Sequence, residues 1–391
     1  MIRMTKHNFL MIIAAALLII LSGEHAAGNE NRLSHKKRIT VTDLAGRKVS
    51  VQIPAEKIIL SFDRHLPTFS AIAGHDFLEK IVGWGKITPI SDQNIYREFK
   101  KKYPEIMSIP DIGTHAKGTF SVEKVMALKP DLILYPLWAV LDKYEGITDD
   151  LDRLEQAGIP TVIIDYWKDP FENSITSTLL IGSMLGKEER AGEIAAFYKD
   201  RVGKVINRLA NIKKNKPKVY LEGASKEPSQ YGWSCGNAGW GVILKKAGAV
   251  NIAEGIIKER GTIAPEYLLK TNPDIIIVSS FGGFWQQPDD EMKTVLPEYD
   301  KKPMLDFLKA ITERPGWGHL DAVKNGKIYG IFDSSYYIYN NIYTFAVVQA
   351  IAKWLYPDEF KDLDPGADLH LFEQRFMPVY HNDLQMIEIN R

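Results

Sequence analysis

The chain has 391 residues, 45% hydrophobic and 25% charged, and its basic and acidic side chains balance to a formal net charge of zero. That length is too great for one ordinary hydrophobic core and suits two, and the balanced charge supplies no overall field to draw in nucleic acid or acidic lipid. The single cysteine, Cys235, excludes a disulfide framework and any four-thiolate metal or cluster site.

Arg3 and Lys6 precede an apolar run from Phe9 to Leu21, followed by Ser22, Gly23 and the small cluster Ala26-Ala27-Gly28. This is the three-part layout of a secretory signal, and the run is short for a spanning helix. Residues 1–28 are expected to form a cleaved signal peptide, with a retained anchor as the alternative. No cysteine lies near the cleavage point for a lipid anchor, so the expected location is the periplasm. Residues 29–38 are polar and read as a flexible leader.

The folded part opens with two alternating stretches, Ile39–Asp43 and Lys48–Ile53, around a bend at Leu44–Arg47. This predicts a hairpin. Lys57–Ser61 and Lys80–Trp84 are short apolar runs of the buried-strand kind. Between them Leu66–Ala73 is predicted as a helix stopped by Gly74.

A pattern then occurs twice. Ser121-Val-Glu123 runs through a short helical stretch to Pro130-Asp131 and an apolar strand, Leu132–Tyr135. Ala264-Pro-Glu266 runs at the same spacing to Pro273-Asp274 and Ile275–Val278. In each copy a Glu sits at the positive end of a helix dipole and Pro ends the helix. The duplication predicts two lobes of like topology.

Between the copies, Leu151–Ala157 reads as a helix, Thr161–Asp165 as a strand and Phe171–Leu185 as a helix interrupted by Gly186. From Lys187 to Ile212 apolar residues recur at helical spacing. A helix of that length spans about 40 Å and can bridge two lobes. Further on, Lys218–Glu222 and Lys327–Ile331 are predicted strands. Gly241–Gly248 and Ile342–Tyr356 are predicted helices, and the tail from Asp368 holds one more. The expected organisation is a first lobe over residues 39–186, a linker helix over 187–213, and a second lobe over 214–391 with an extended tail. Alternation of strands and helices makes both lobes α/β with largely parallel sheets.

Several stretches carry a family resemblance: Asp43-Leu-Ala-Gly-Arg47 with Ile53–Ile58; Val122-Glu123 through Leu128-Lys-Pro-Asp131; Ala247–Ala253; Pro315-Gly-Trp317 through Ala322–Tyr329; and Tyr356-Pro-Asp358. Over residues 39 to 360 the chain resembles the periplasmic substrate-binding proteins of iron-siderophore, haem and cobalamin ABC importers. The resemblance implies two Rossmann-like lobes joined by a single long helix, with ligand held in the cleft between them. It implies Glu123 and Glu266 as docking carboxylates for the permease, which works with its ATPase. It also implies an outer-membrane receptor upstream, and the binding protein itself is expected to be a monomer without intrinsic cofactor or enzymatic activity.

Ligands of open α/β lobes sit at the C-terminal ends of strands. That rule, with the family layout, selects loops carrying Arg64, His65, His115, Lys117 and Trp138 in the first lobe. In the second it selects Tyr231, Trp233, Trp285, Tyr336 and Tyr337. Their aromatic groups suit flat, partly apolar chelates: a siderophore complex, haem or a corrinoid. Neutral imidazole of His65 or His115, or phenolate of Tyr336, are candidate metal ligands. Arg64 and Lys117 can pair with ligand carboxylates. The final cleft loop, Asp333–Asn341, contains no arginine, which points away from a strongly anionic siderophore. Cys235 is expected to be a buried, inert thiol. The alternatives are a receptor for free Zn or Mn ions and a metal-dependent enzyme on a related bilobal fold.

Overall fold

Asp43 decides how the chain enters its fold. Strands β1 (Lys37–Thr42) and β2 (Lys48–Ile53) form an antiparallel hairpin in which Ile39 faces Val51 and Val41 faces Val49. Asp43 Oδ1 accepts the amides of Ala45 and Arg47 at 3.0 and 2.9 Å, and Gly46 turns the chain at φ +80°. The other oxygen, Oδ2, receives Arg47 Nη2 at 2.7 Å and the Ile163 amide at 3.2 Å. Arg47 also donates to the Thr161 carbonyl. The Asp-Leu-Ala-Gly-Arg stretch therefore fastens the hairpin to strand β6, more than a hundred residues away. The computed structural model describes residues 37–86, 94–224, 227–279, 301–331, 342–380 and 386–389.

The first lobe is a parallel four-stranded sheet in the order β4-β3-β5-β6, from β3 (Ile58–Leu60), β4 (Ile81–Trp84), β5 (Leu132–Pro136) and β6 (Thr161–Ile164). Every residue of β3, β5 and β6 is buried, as in sheets covered on both faces. The second lobe has the order β13-β12-β11-β7-β9. Its parallel members are β7 (Lys218–Gly223), β9 (Val250–Asn251), β11 (Ile275–Ser279) and β12 (Ile328–Ile331). Strand β13 (Met386–Glu388) closes the edge antiparallel to β12. Two small strands, β8 (Ser234–Cys235) and β10 (Arg260–Gly261), pair apart from the main sheet. The α/β class and the two largely parallel sheets follow the expectation; the antiparallel edge and the small ladder were not foreseen.

The helices that matter for the site are α1 (Leu66–Ala73), α2 (Val122–Leu128), α3 (Ile147–Gln156), α4 (Glu172–Leu185), α5 (Glu188–Leu209), α6 (Trp240–Lys246), α7 (Pro265–Thr271), α8 (Thr344–Leu355) and α9 (Pro365–Phe376). The linker α5 is about 33 Å long and ends at Leu209, short of Ile212. It packs on α4 and α1 of the first lobe and on α8 and α9 of the second. One continuous apolar core runs through these helices, and a second core lies under the other face of the second sheet.

The tail is not confined to the second lobe. Helix α9 lies along α5, where Arg201 meets Asp368 at 2.6 Å and Phe197 meets Phe372 edge to face. Arg190 of α5 donates both to the Ala71 carbonyl in α1 and to the Phe376 carbonyl at the end of α9. Lys102 of the first lobe donates to the Pro378 carbonyl. The chain then returns to pair β13 with β12.

Candidate functional site

The C-terminal end of β3 leads into Phe62 and a single 3-10 turn, Asp63–His65. His65 is almost fully buried between the rings of Phe62 and Tyr166, at 5.3 and 5.9 Å. Burial pushes its pKa down to about 3, so the imidazole is neutral. Its Nδ1 is buried without a hydrogen-bond partner among the described residues. Arg64 is buried too, its guanidinium 5.7 Å from the centre of the Phe62 ring. Trp138, beyond β5, stands edge-on to Phe62 at 5.3 Å and to Tyr144 at 5.9 Å. It is a buried member of an aromatic wall.

His115 sits on a loop held by backbone geometry. Gly113 has φ +75°, and a Cβ there would lie 1.9 Å from the Thr119 carbonyl oxygen, so only glycine fits. Thr114 and Thr119 close the loop with paired bonds at 3.0 and 3.1 Å. His115 stacks on Phe120 at 4.2 Å. Its Nε2 meets Asp150 Oδ2 at 3.1 Å and its Nδ1 meets the Tyr135 hydroxyl at 2.5 Å. A carboxylate only accepts, so Nε2 donates to Asp150 and Nδ1 accepts from Tyr135. Burial lowers the His115 pKa, with Asp150 opposing it. Both ring nitrogens are committed, so this side chain offers no open position to a metal. Lys117, two residues on, is exposed.

In the second lobe, Tyr231 is turned inward. Its hydroxyl accepts from Trp317 Nε1 at 2.7 Å, and Arg314 lies 4.7 Å above its ring. Arg314 in turn forks onto Glu222 at 2.7 and 2.8 Å, both side chains being essentially fully buried. It also donates to the Pro228 and Gln230 carbonyls. Tyr231 therefore belongs to a buried assembly that holds the loop. Trp233 is half-buried against Gly223, where a Cβ would sit 2.0 Å from its ring. Cys235 is buried, and desolvation pushes its thiol up to about 12, so it stays protonated. Trp285, Tyr336 and Tyr337 lie outside the described residues.

The lobes touch through charged and aromatic side chains just past β6 and around β10. Lys168, just past β6, pairs with Glu259. Arg260 of β10 reaches Asp142 at 3.4 Å and lies 4.9 Å over the Trp167 ring. Gly239 comes so near Trp167 that a Cβ would fall 2.8 Å from the indole nitrogen. Burial raises the Asp142 pKa against the pull of Arg260. None of these charged residues was singled out in the sequence, because their pairings join distant segments with no local spacing.

Glu123 and Glu266 both open their helices and are exposed. Glu123 is held by Arg153 of α3 at 2.6 Å, which lowers its pKa. Glu266 has no ion-pair partner among the described residues. No group of three His, Cys, Asp or Glu side chains able to hold a metal ion occurs among the described residues. Nor is any helix there long and apolar enough to cross a membrane.

The match to known proteins runs along nearly the whole folded chain. Residues 73–334 match the model of the periplasmic binding protein family. A TroA-like periplasmic binding protein, FepB, from Veillonella parvula is 35% identical. It covers 90% of this chain and 100% of its own, with a TM-score of 0.76. The Fe(3+)-citrate-binding protein YfmC of Bacillus subtilis is 25% identical over 83% of this chain and 90% of its own length. An uncharacterized ABC transporter substrate-binding lipoprotein of the same organism, YvrC, is 22% identical over 90% of this chain and 97% of its own. Two α/β lobes of like topology, joined by α5, have these counterparts, and the chain belongs to the periplasmic binding protein family.

Proposed function

We propose that this protein is an exported receptor that holds a metal chelate in the cleft between its lobes and presents it to the permease of an ABC importer, without chemistry of its own. The observation that carries the chelate reading is the wall at the end of β3. There a neutral imidazole with a bare nitrogen, His65, is set among Phe62, Trp138 and Tyr166. Neutral imidazole ligates a metal centre, and the flanking rings suit the apolar faces of an organic chelator. Arg64 adjoins His65 in the sequence, and carboxylates of a ligand would pair with it and with Lys117. The Fe(3+)-citrate relative favours iron as the metal. A free-ion receptor needs three or four protein ligands, and no such set occurs among the described residues.

Docking is assigned to Glu123 and Glu266, one on each lobe at equivalent places in the repeat. Matched exposed carboxylates suit a partner with two basic sockets, which sets orientation more than raw affinity.

The test is to purify the mature protein from cells grown in rich medium and record its absorbance spectrum and metal content. Quenching of intrinsic tryptophan fluorescence by ferric citrate, haem and a corrinoid then follows. Bound iron or a chelate that quenches at micromolar concentration supports the reading. Tight binding of free Zn with no chelate binding overturns it.

A further inference from the structure

A chain of contacts runs from Glu123 at the surface to Tyr135, buried in strand β5 of the first lobe. Glu123 Oε1 accepts from Arg153 Nη2 at 2.6 Å, and Arg153 Nη1 reaches Asp150 Oδ1 at 3.3 Å. The other oxygen of Asp150 accepts from His115 Nε2 at 3.1 Å, and His115 Nδ1 accepts from the Tyr135 hydroxyl at 2.5 Å. Tyr135 is the penultimate residue of β5, directly before the segment that carries Trp138. Helix α3 supplies both middle members: Asp150 and Arg153 are one turn apart on it and face the loop that holds His115.

The two ends of this chain differ in strength. The Glu123–Arg153 pair is exposed on both sides. Such pairs are weak, screened by salt and readily exchanged. The His115–Tyr135 link is buried and the His115–Asp150 link partly so, where a hydrogen bond is expensive to leave unmade. A cation arriving at Glu123 competes with Arg153 for one carboxylate, and Asp150 is the acceptor Arg153 already touches. Released from Glu123, the guanidinium moves its charge onto Asp150. That draws electron density from the oxygen that accepts His115 Nε2–H and weakens that bond. The second lobe lacks an equivalent: Glu266 opens the matching helix with no such partner among the described residues.

We infer that Arg153 is a positioning residue that transmits occupation of Glu123 to His115 and Tyr135, so that a cationic partner surface on the first lobe alters the wall of the ligand cleft. This rests on the docking reading given above and adds a route by which docking reaches the ligand.

The test is nitrogen NMR of the histidine side chains in the isolated, full-length mature protein at neutral pH, with His115 assigned by its loss in His115→Gln. Glu123→Arg mimics an arriving cation and is expected to shift the His115 Nε2 resonance. Glu266→Arg, the same change at the other copy of the repeat, is expected to leave it in place. In an Arg153→Gln background, adding Glu123→Arg is expected to have no further effect. The proposal is overturned if Glu123→Arg leaves His115 where Glu266→Arg leaves it. It is equally overturned if the shift persists undiminished without Arg153, since a direct field from position 123 would then account for it. Glu123 is exposed, so its replacement is not expected to unfold the chain. No membrane partner is needed, so a silent chain leaves docking untouched. Unchanged uptake by Glu123→Arg would remove docking without altering the resonances.

Discussion

Asp131 and Asp274 hold the same position in the two lobes. Each follows the proline that ends a repeated helix. Asp131 Oδ2 accepts the amides of Glu56 and Lys57 at 3.1 Å, at the entrance to β3. Asp274 Oδ2 accepts the amide of Lys218 at 2.7 Å, at the entrance to β7. Each aspartate amide returns a bond to the carbonyl of the same lysine, at 2.7 and 2.9 Å. The Pro-Asp pair is thus a clasp between one helix end and the neighbouring strand. Asp131→Ala and Asp274→Ala are each expected to lower stability by about 1–2 kcal/mol, seen as a reduced urea midpoint with little change in slope. An unchanged midpoint for both would mean that the clasp is ornamental.

Charge reversal at the docking pair separates transport from binding. Glu123→Arg with Glu266→Arg is expected to abolish uptake in cells while a chelate that quenches tryptophan fluorescence still binds. Uptake at the parental level would sink the docking assignment. Both carboxylates are exposed, so thermal stability should hold and serves as the control.

The buried fork between Arg314 and Glu222 is expected to be costly to break from one side. Arg314→Ala leaves a desolvated carboxylate and frees the Pro228 and Gln230 carbonyls, at a cost of about 3–5 kcal/mol. The paired replacement Arg314→Met with Glu222→Leu removes both charges and is expected to be clearly milder. Chemical denaturation of the three proteins measures the difference, and a double variant as unstable as the single one would contradict this account.

His65 predicts a definite acid response. Its pKa is about 3 in the folded chain and about 6.5 when unfolded. Between those values the unfolded state binds a proton that the folded state refuses. Stability therefore rises with pH through that window and is fully present above it. The slope is about 1.4 kcal/mol per pH unit, or about 2 kcal/mol between pH 6.5 and 5. His65→Gln should flatten this part of the stability profile; an identical acid slope in the variant would refute the buried neutral state.

Architecture was the legible part of this sequence. The hairpin at Asp43, the long helix and the doubled Glu-to-Pro-Asp unit each leave a local signature. Periodicity, a glycine bend and a fixed spacing all report on neighbours within one turn or one strand. The site was less legible, for a physical reason. Tyr231 and Trp138 were selected because aromatics on loops suit a ligand, yet Trp138 is buried and Tyr231 partly buried against their own lobe by partners far away in sequence. His115 looked like a ligand until Asp150 and Tyr135 took both its nitrogens. Arg260, Asp142, Lys168 and Glu259 carried no signal at all, because a contact between lobes has no period. The three residues of β13 are too few to show alternation.

Strand β13 also has a bearing on how the chain is made. It follows β12 in the chain only after helices α8 and α9, and until it arrives β12 presents a row of open backbone groups. Any chain that emerges amino end first must wait for this later segment before that border is sealed. An unsealed border recruits other strands. A nascent or truncated chain that stops at Tyr380 would keep the buried residues of both apolar cores and still be prone to self-association, so β13 is a poor place for a deletion.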